Sequence, residues 1–231
     1  MINVARPPVT AAVAMVAVVG IALLSPSSSP SAAAVQRSPT TTLSRTVEGV
    51  RFSFSVPTSG GDGWAPSPIA KGAKGFREGR LGISKSIVGP QGAEAIVFWT
   101  SFPDGYRADP CAYLASRQIG RSTADLAAAV ARAPGTKLIS GPSNVRIGGL
   151  AAKHVVLIVR KDLGCDPGYF FSWHSECWGP CWVETNVGDT IRVWIVAVDD
   201  TRLFIAAATT EQANARLRNE VHQIVQTIRF G

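Results

Sequence analysis

The sequence lacks every short motif that commonly identifies an enzyme. It contains no Gly-x-Ser-x-Gly nucleophile turn, no His-Glu-x-x-His metal motif and no phosphate-binding loop. His154 lies in an apolar stretch and His222 lies near the C-terminus, and the sequence pairs neither of them with a nucleophile. Both histidines are interpreted as structural. We therefore expect no catalytic set and no cofactor.

Acidic residues are scarce, with 16 Asp and Glu against 23 Lys and Arg and a formal net charge of +7. Outside the cytoplasm, the natural partners of a basic surface are anionic lipids and envelope polymers. The basic residues are not interleaved with aromatic ones, which argues against nucleic acid as a partner. One run is especially basic and is interpreted as a solvated loop, with a basic binding patch as the alternative: Lys71, Lys74, Arg77, Arg80 and Lys85.

Charge is absent altogether from residues 9–24, which follow the single Arg6. A Ser/Pro-rich run and three alanines ending at Ala34 come next. A basic start, an apolar core and small residues at the end predict a secretory signal peptide cleaved after Ala34. The apolar core is short for a membrane span, which needs about 20 residues, but retention as an anchor stays open. The first cysteine is Cys111, so lipid attachment at the cleavage point is excluded.

The composition divides the chain into three parts. Residues 1–34 are the signal peptide or anchor, and residues 35–46 are rich in Ser, Thr and Pro, which predicts a flexible linker. Residues 47–231 are predicted to form a single α+β domain. The protein is therefore expected to be secreted or otherwise extracytoplasmic.

Alternating and apolar runs predict an antiparallel sheet. Period-two alternation marks a strand at 47–57, after which Trp64 is expected to fold back over the sheet. A helix is predicted after the cap Ser122, and a second helix over 209–230, with Thr209 and Gln212 as a capping box. Further strands are predicted at 81–88, 93–102, 137–140, 143–147, 150–160, 190–198 and 202–208.

The last helix shows one apolar stripe at helical spacing, opposite a polar face. The stripe is interpreted as core packing and consists of Leu217, Val221, Ile224, Val225 and Ile228. The polar face opposite the stripe consists of Arg216, Glu220, Gln223 and Gln226. Two helices set apart among many antiparallel strands predict an α+β sandwich.

The exported start, the strand at 50–57, the hairpin of 189–195 with 202–205 and the closing Ile228-Arg229-Phe230 resemble an uncharacterised exported actinobacterial protein family. The plan of that family is similar to the α-β-α sandwich of the PsbP-like proteins. The resemblance covers residues 47–230 and rests on the order of elements. It implies a non-catalytic binding or accessory role at the cell envelope, and it transfers no functional residue.

Four cysteines in an exported chain favour two disulfide bonds. Cys177 and Cys181 flank a tight Trp-Gly-Pro turn and are paired with each other, which leaves Cys111 to pair with Cys165. Two alternatives use the same residues. Cys177 and Cys181 resemble the redox pair of a thiol-disulfide oxidoreductase, although their spacing is one residue longer. A zinc site is the other alternative, with Cys165, His174, Cys177 and Cys181 as ligands.

The densest aromatic segment of the chain lies between residues 169 and 182. Its candidate ligand surface consists of Tyr169, Phe170, Phe171, Trp173, Trp178 and Trp182. If these side chains are exposed, they form a patch for an apolar ligand, a glycan or a membrane surface. The alternative is that they cover one end of the sheet as a minor core.

Overall fold

The computed structural model describes residues 39–47, 49–58, 63–66, 81–87, 93–101, 105–107, 116–161, 170–171, 184–185 and 187–231. All of them belong to one compact unit, residues 37–231. The helices are α1 (Thr123–Val130) and α2 (Ala215–Gln226). The strands are β1 (Thr40–Val47), β2 (Val50–Pro57), β3 (Ala65–Pro66), β4 (Leu81–Ile87), β5 (Ala93–Ser101), β6 (Gly105–Arg107), β7 (Ser116–Gln118), β8 (Thr136–Ile147), β9 (Leu150–Val159), β10 (Phe170–Phe171), β11 (Glu184–Thr185), β12 (Thr190–Val198), β13 (Thr201–Thr209) and β14 (Arg229–Phe230).

Seven of these strands form a central antiparallel sheet in the order β3-β4-β5-β13-β12-β9-β8. Successive side chains of a strand point to opposite faces, so a strand covered on both sides is apolar throughout. Strand β12 shows this pattern: Val193 and Ile195 enter one core, while Trp194 and Val196 enter the other. The sheet is therefore the middle layer of the fold.

Each face of the sheet carries its own core. On one face, Leu126 and Val130 of α1 pack against Val155 and Leu157 of β9. On the other face lie α2 and a small sheet in the order β1-β2-β14. The predicted α+β class is confirmed, with sheet as the larger part. The finer likeness to a PsbP-like sandwich stays a prediction.

Several local predictions are confirmed. In β2 the apolar residues Val50, Phe52, Phe54 and Val56 are buried, whereas Arg51 is exposed. The hairpins β4–β5 and β12–β13 pair in continuous register. Trp64 packs against the core on the α2 face, as its predicted return over the sheet requires.

The predicted cap of α1 is also present. Ser122 Oγ accepts a hydrogen bond from the Asp125 backbone N–H at 3.0 Å, and Asp125 Oδ2 accepts one from the Ser122 N–H at 3.1 Å. This reciprocal capping box satisfies two of the backbone donors that a helix start leaves free. The hydrogen bonds from the Ser122 side chain and backbone lower the pKa of Asp125.

The start of the fold differs from the predicted linker boundary at residue 46. Thr40–Val47 is strand β1, which pairs with β2 from Thr40 opposite Pro57 to Val47 opposite Val50. Its composition is polar because most of its side chains are exposed. Backbone pairing and the strand preference of threonine form this strand without a large apolar contribution.

The predicted start of the last helix is wrong. Thr209 is buried at the end of β13, and the N-cap of α2 is Asn214, whose side chain accepts a hydrogen bond from the Leu217 N–H at 2.9 Å. Thr209 therefore belongs to the sheet, and its spacing from Gln212 does not form a capping box. The two strands predicted at 137–140 and 143–147 are one strand, β8, with register shifts between Leu138 and Ser143.

Several predicted features lie outside the described residues. These are the signal peptide or anchor at 1–34, residues 35–38 of the linker, the basic run at 71–80 and all four cysteines. Among the described residues, no helix has both the length and the apolarity needed to cross a bilayer.

Candidate ligand-binding site

The α2 face of the sheet becomes less apolar and more open from its centre towards one end. Ala152 of β9 lies opposite Val196 of β12, and both are buried. In the next pair, half-buried His154 lies opposite buried Trp194, and their rings stack at 4.8 Å between centroids. The third pair joins Val156 to Arg192, both half-buried. Strand alternation thus places a histidine and an arginine on the interior face beside the core.

Helix α2 lies over this face with two different flanks. Residues four apart on a helix share a side, so Arg216 and Glu220 form one flank, while Arg218 and His222 form the other. The buried stripe that contains Leu217 and Val221 separates the two flanks.

The flank of Arg218 and His222 joins the sheet residues in what we call the basic cluster: His154, Arg192, Arg218 and His222. Burial, then Arg192 and then His222, lower the pKa of His154. Burial and then Arg218 lower the pKa of Arg192. Such effects act over a limited range, which places Arg192 and His222 within reach of His154, and Arg218 within reach of Arg192. The guanidinium of an arginine stays charged even so, which makes the cluster positive.

Polar atoms of the basic cluster are buried without partners. Among the described residues, Arg192 Nη1 and His154 Nε2 have no hydrogen-bond partner, and neither residue forms an ion pair there. Thr209, which is 2% exposed on the same face of the sheet, also has an unpaired Oγ1. A buried donor without an acceptor costs about 1–3 kcal/mol. Such groups are rare in native structures and call for an explanation such as a ligand.

The other flank of α2 forms a contrasting arrangement, which we call the Glu220 centre. Glu220 Oε2 accepts hydrogen bonds from Lys85 Nζ at 2.9 Å and from Trp64 Nε1 at 3.0 Å. Glu220 Oε1 accepts one from Arg216 Nε at 3.2 Å. Burial by itself would raise the pKa of Glu220, but the hydrogen bonds from Lys85, Trp64 and Arg216 and the charge of Lys85 outweigh it, and the pKa is lowered.

The Glu220 centre corrects two predictions. Glu220 was placed on the polar face opposite the apolar stripe of the last helix, but it is buried, with 6% exposed. Lys85 was counted in a solvated basic run as well as in the predicted strand 81–88; it lies in strand β4 and is only 7% exposed. A carboxylate and an ammonium can be buried together when each neutralises the other and the remaining lone pairs are satisfied. Neither residue is available to a ligand.

Chemically, the basic cluster can hold negative charge. Arginine and histidine donate to oxyanions, and a charged hydrogen bond is stronger than a neutral one. The ring of His154 has no hydrogen-bond partner among the described residues, so none of them orients it as a general base. The part of the chain that the structure describes contains no group of His, Cys, Asp and Glu able to hold a metal ion.

Most of the sequence-predicted site residues are not described by the structure. Cys111, Cys165, Cys177 and Cys181 lie outside the described residues, so the disulfide, redox and zinc hypotheses stay predictions. His174, Tyr169, Trp173, Trp178 and Trp182 lie outside them as well. Phe170–Phe171 forms strand β10, which pairs with Glu184–Thr185 of β11.

The sequence interpretation treated the members of the basic cluster separately and missed the cluster. His154 and His222 were interpreted as structural, and Arg192 was one residue of a predicted hairpin. A usable signal was present: Arg192 is the one charged residue in the apolar strand 190–198. Charged residues are almost never fully buried unless they are paired, so a lone arginine in such a strand indicates a special environment.

Comparison with solved structures gives a distant similarity. No family model matches the sequence, and no curated protein matches it. Among solved structures, the chain is similar to one described as the crystal structure of LpqN involved in cell envelope biogenesis of Mycobacterium tuberculosis. The TM-score is 0.43 and the identity 11%, over 83% of this chain and 91% of that chain. A similarity this distant assigns neither a family nor a function.

Proposed function

We propose that the protein is an exported, non-catalytic binding protein of the cell envelope that holds an anionic ligand at the basic cluster. The observation that carries this proposal is the half-buried Arg192 with its unpaired Nη1, one strand pair away from His154, whose Nε2 is also unpaired. The exposed Arg218 and His222 of α2 add positive or titratable groups on the same side. Export is supported by the apolar segment 9–24 and the run that ends at Ala34. A PsbP-like sandwich is the expected plan of the fold.

Three features favour binding over catalysis at this position. The imidazole of His154 stacks on buried Trp194, an arrangement that fixes the ring in place. Burial and then Arg192 lower its pKa, which favours the neutral ring. A neutral imidazole contributes one N–H donor and apolar surface rather than a fixed charge. The positive charge is supplied by arginines, which hold anions without exchanging protons.

The test is titration of the purified exported protein with inorganic sulfate at low ionic strength, followed by isothermal calorimetry. Sulfate keeps the same charge between pH 5 and 8, so its binding reports the protein alone. We expect saturable binding that Arg192→Gln weakens by at least about tenfold, the effect of losing a charged hydrogen bond.

The matched control is Arg132→Gln, which removes an exposed arginine that follows α1 on the opposite side of the sheet. This variant should bind sulfate as the wild type does. Phosphate and acetate extend the titration to anions of other geometry. The proposal is overturned if no anion binds saturably, or if both arginine variants weaken binding equally.

A further inference from the structure

The basic cluster continues into an apolar strip on the same face of the sheet. Val156 of β9 lies opposite Arg192, and Ile158 lies opposite Thr190. Both apolar side chains are half-buried, although their strand neighbours Val155, Leu157 and Val159 on the α1 face are 0% exposed. Incomplete cover on the α2 face therefore leaves apolar surface beside the unpaired arginine.

The order of the residues gives the strip a direction. From the core outwards, β9 presents His154, Val156 and Ile158 on this face, while β12 presents Trp194, Arg192 and Thr190. Donors for an anion lie at the inner end, against the core. The outer end, near the last residue of β9, presents Ile158 on β9 and the hydroxyl of Thr190 on β12. On the other side of Ile158 lies Lys137 of β8, which is exposed.

From this arrangement we infer that the ligand is an amphiphilic anion: one oxyanion group held by Arg192 and His154, with an apolar chain running outwards along Val156 and Ile158. The inference rests on the proposed function and specifies its ligand class. A small inorganic anion would leave the apolar strip in water, and a neutral amphiphile would leave the buried guanidinium without an acceptor. An anion with an apolar chain satisfies both ends.

A site of this kind suits a single molecule. Arg192 and His154 are half-buried, and the unpaired nitrogens Arg192 Nη1 and His154 Nε2 are buried atoms. A flat bilayer surface contacts protruding side chains and does not reach buried nitrogens. We therefore assign the strip to a monomeric amphiphile and not to a membrane surface.

The experiment is a chain-length series in which the charged group stays constant. Methyl, butyl, hexyl and octyl sulfate, which are all monoanions, are titrated into the exported protein below their micelle concentrations. Affinity should rise along the series, and octyl sulfate should bind at least about tenfold more tightly than methyl sulfate, a gain that burial of two methylene groups provides. Octyl glucoside, which has the same chain and no charge, should not bind measurably.

Variants locate the apolar contact. Val156→Thr and Ile158→Thr keep the branched shape at strand positions and should reduce the gain with chain length, leaving the affinity for methyl sulfate within about twofold. Leu138→Thr, which changes a 40% exposed leucine of β8, is the matched control and should leave the whole series unchanged. Circular dichroism of each variant and complex establishes that the fold is kept. The chain-length series on the wild-type protein tests the inference even if a variant fails to fold.

The outcomes separate the two proposals. Arg192-dependent sulfate binding with no effect of chain length overturns this inference and leaves the proposed function standing. Absence of binding along the whole series and to inorganic sulfate overturns both. The assignment of an amphiphilic anion is also overturned if octyl glucoside binds as tightly as octyl sulfate. It is overturned as well if the protein binds phosphatidylglycerol vesicles more tightly than monomeric octyl sulfate at equal accessible concentration.

Discussion

Helix α2 presents two polar flanks to the same sheet, and they differ in how their charges are paired. In the Glu220 centre, a buried carboxylate receives hydrogen bonds from Lys85, Trp64 and Arg216. In the basic cluster, Arg192 and His154 have buried nitrogens without acceptors among the described residues. Buried charge stabilises a fold only when it is paired and hydrogen-bonded. The first flank therefore serves the fold, and under our proposal the second serves a ligand at the expense of stability.

The two flanks also differ in what they connect. Glu220 joins α2 to Trp64 and Lys85, which lie 156 and 135 positions earlier in the sequence. The interaction of Arg192 with Arg218 is repulsive. Loss of the Glu220 centre should lower the free energy of unfolding, and neutralisation of the basic cluster should raise it.

The largest expected effect comes from Glu220→Gln. This change leaves the Lys85 ammonium buried without a carboxylate, and we expect the free energy of unfolding to fall by about 3 kcal/mol. Chemical denaturation measures it. The control is Arg216→Gln. The side chain of Arg216 is 65% exposed, so this change should lower the free energy of unfolding by about 0.5 kcal/mol or less. A Glu220→Gln variant as stable as the wild type would remove the contrast between the flanks.

Trp64→Phe should have a smaller effect on the same centre. The ring still packs against the core, but Glu220 loses one charged hydrogen bond, and we expect a loss of about 1.5 kcal/mol. A double-mutant cycle with Glu220→Gln isolates the interaction, because the tryptophan change should then cost much less. Equal losses in both backgrounds would show that the Trp64–Glu220 contact contributes nothing.

Arg192→Met should act in the opposite direction. Methionine fills much of the same space without a charge, so we expect the free energy of unfolding to rise by about 1 kcal/mol while sulfate binding is lost. Arg132→Met, at an exposed position, should change neither property. A destabilised Arg192→Met variant would mean that the arginine has a structural partner and that the two flanks are alike.

The smallest expected effect separates the flanks by pH. The pKa of His154 is lowered from its ordinary value of 6.5, so the folded state binds fewer protons than the unfolded chain as pH falls below that value, and stability decreases. The pKa of Glu220 is lowered from 4.5, so its contribution is present above that value and is lost at more acid pH.

Of the two flanks, only the basic cluster is therefore expected to change stability between pH 7.5 and 5.5, and thermal denaturation over this range measures the change. His154→Phe keeps the stack on Trp194 and should flatten the decline in stability in this range. The decline below pH 4.5 should persist in His154→Phe and should be weaker in Glu220→Gln. An unchanged profile in His154→Phe between pH 7.5 and 5.5 would assign that decline to other groups.

Sequence periodicity was sufficient where a single face decides the structure. The alternation at 50–57 and the stripe from Leu217 to Ile228 both identified core residues correctly, because burial follows the period of a strand or helix. The capping box at Ser122 was equally local. Thr209 misled because its spacing from Gln212 fits a cap, whereas hydrogen bonding in β13 decides its position.

The two polar flanks were beyond the reach of that reasoning. Glu220 belongs to the polar face by helical spacing, and only its contact with Lys85 and Trp64 explains its burial. The basic cluster joins β9, β12 and α2, which are far apart in sequence, so no local pattern brings its members together. Isolated charges in apolar strands, such as Arg192, are the signal that local reasoning can supply.

The hydrogen bonds that join the end of β9 to the start of β12 bear on how far the segment between these strands can change in length. Val159 N–H donates to the Asp189 carbonyl at 2.9 Å, and Gly188 N–H donates to the Val159 carbonyl at 3.0 Å, so the two strand ends already meet. The segment between them contains three of the four cysteines and all six candidate aromatic residues. Loop-closure entropy grows only logarithmically, by about 0.6 kcal/mol for each doubling of length. A change in the length of this segment should therefore cost the sheet that holds Arg192 little free energy.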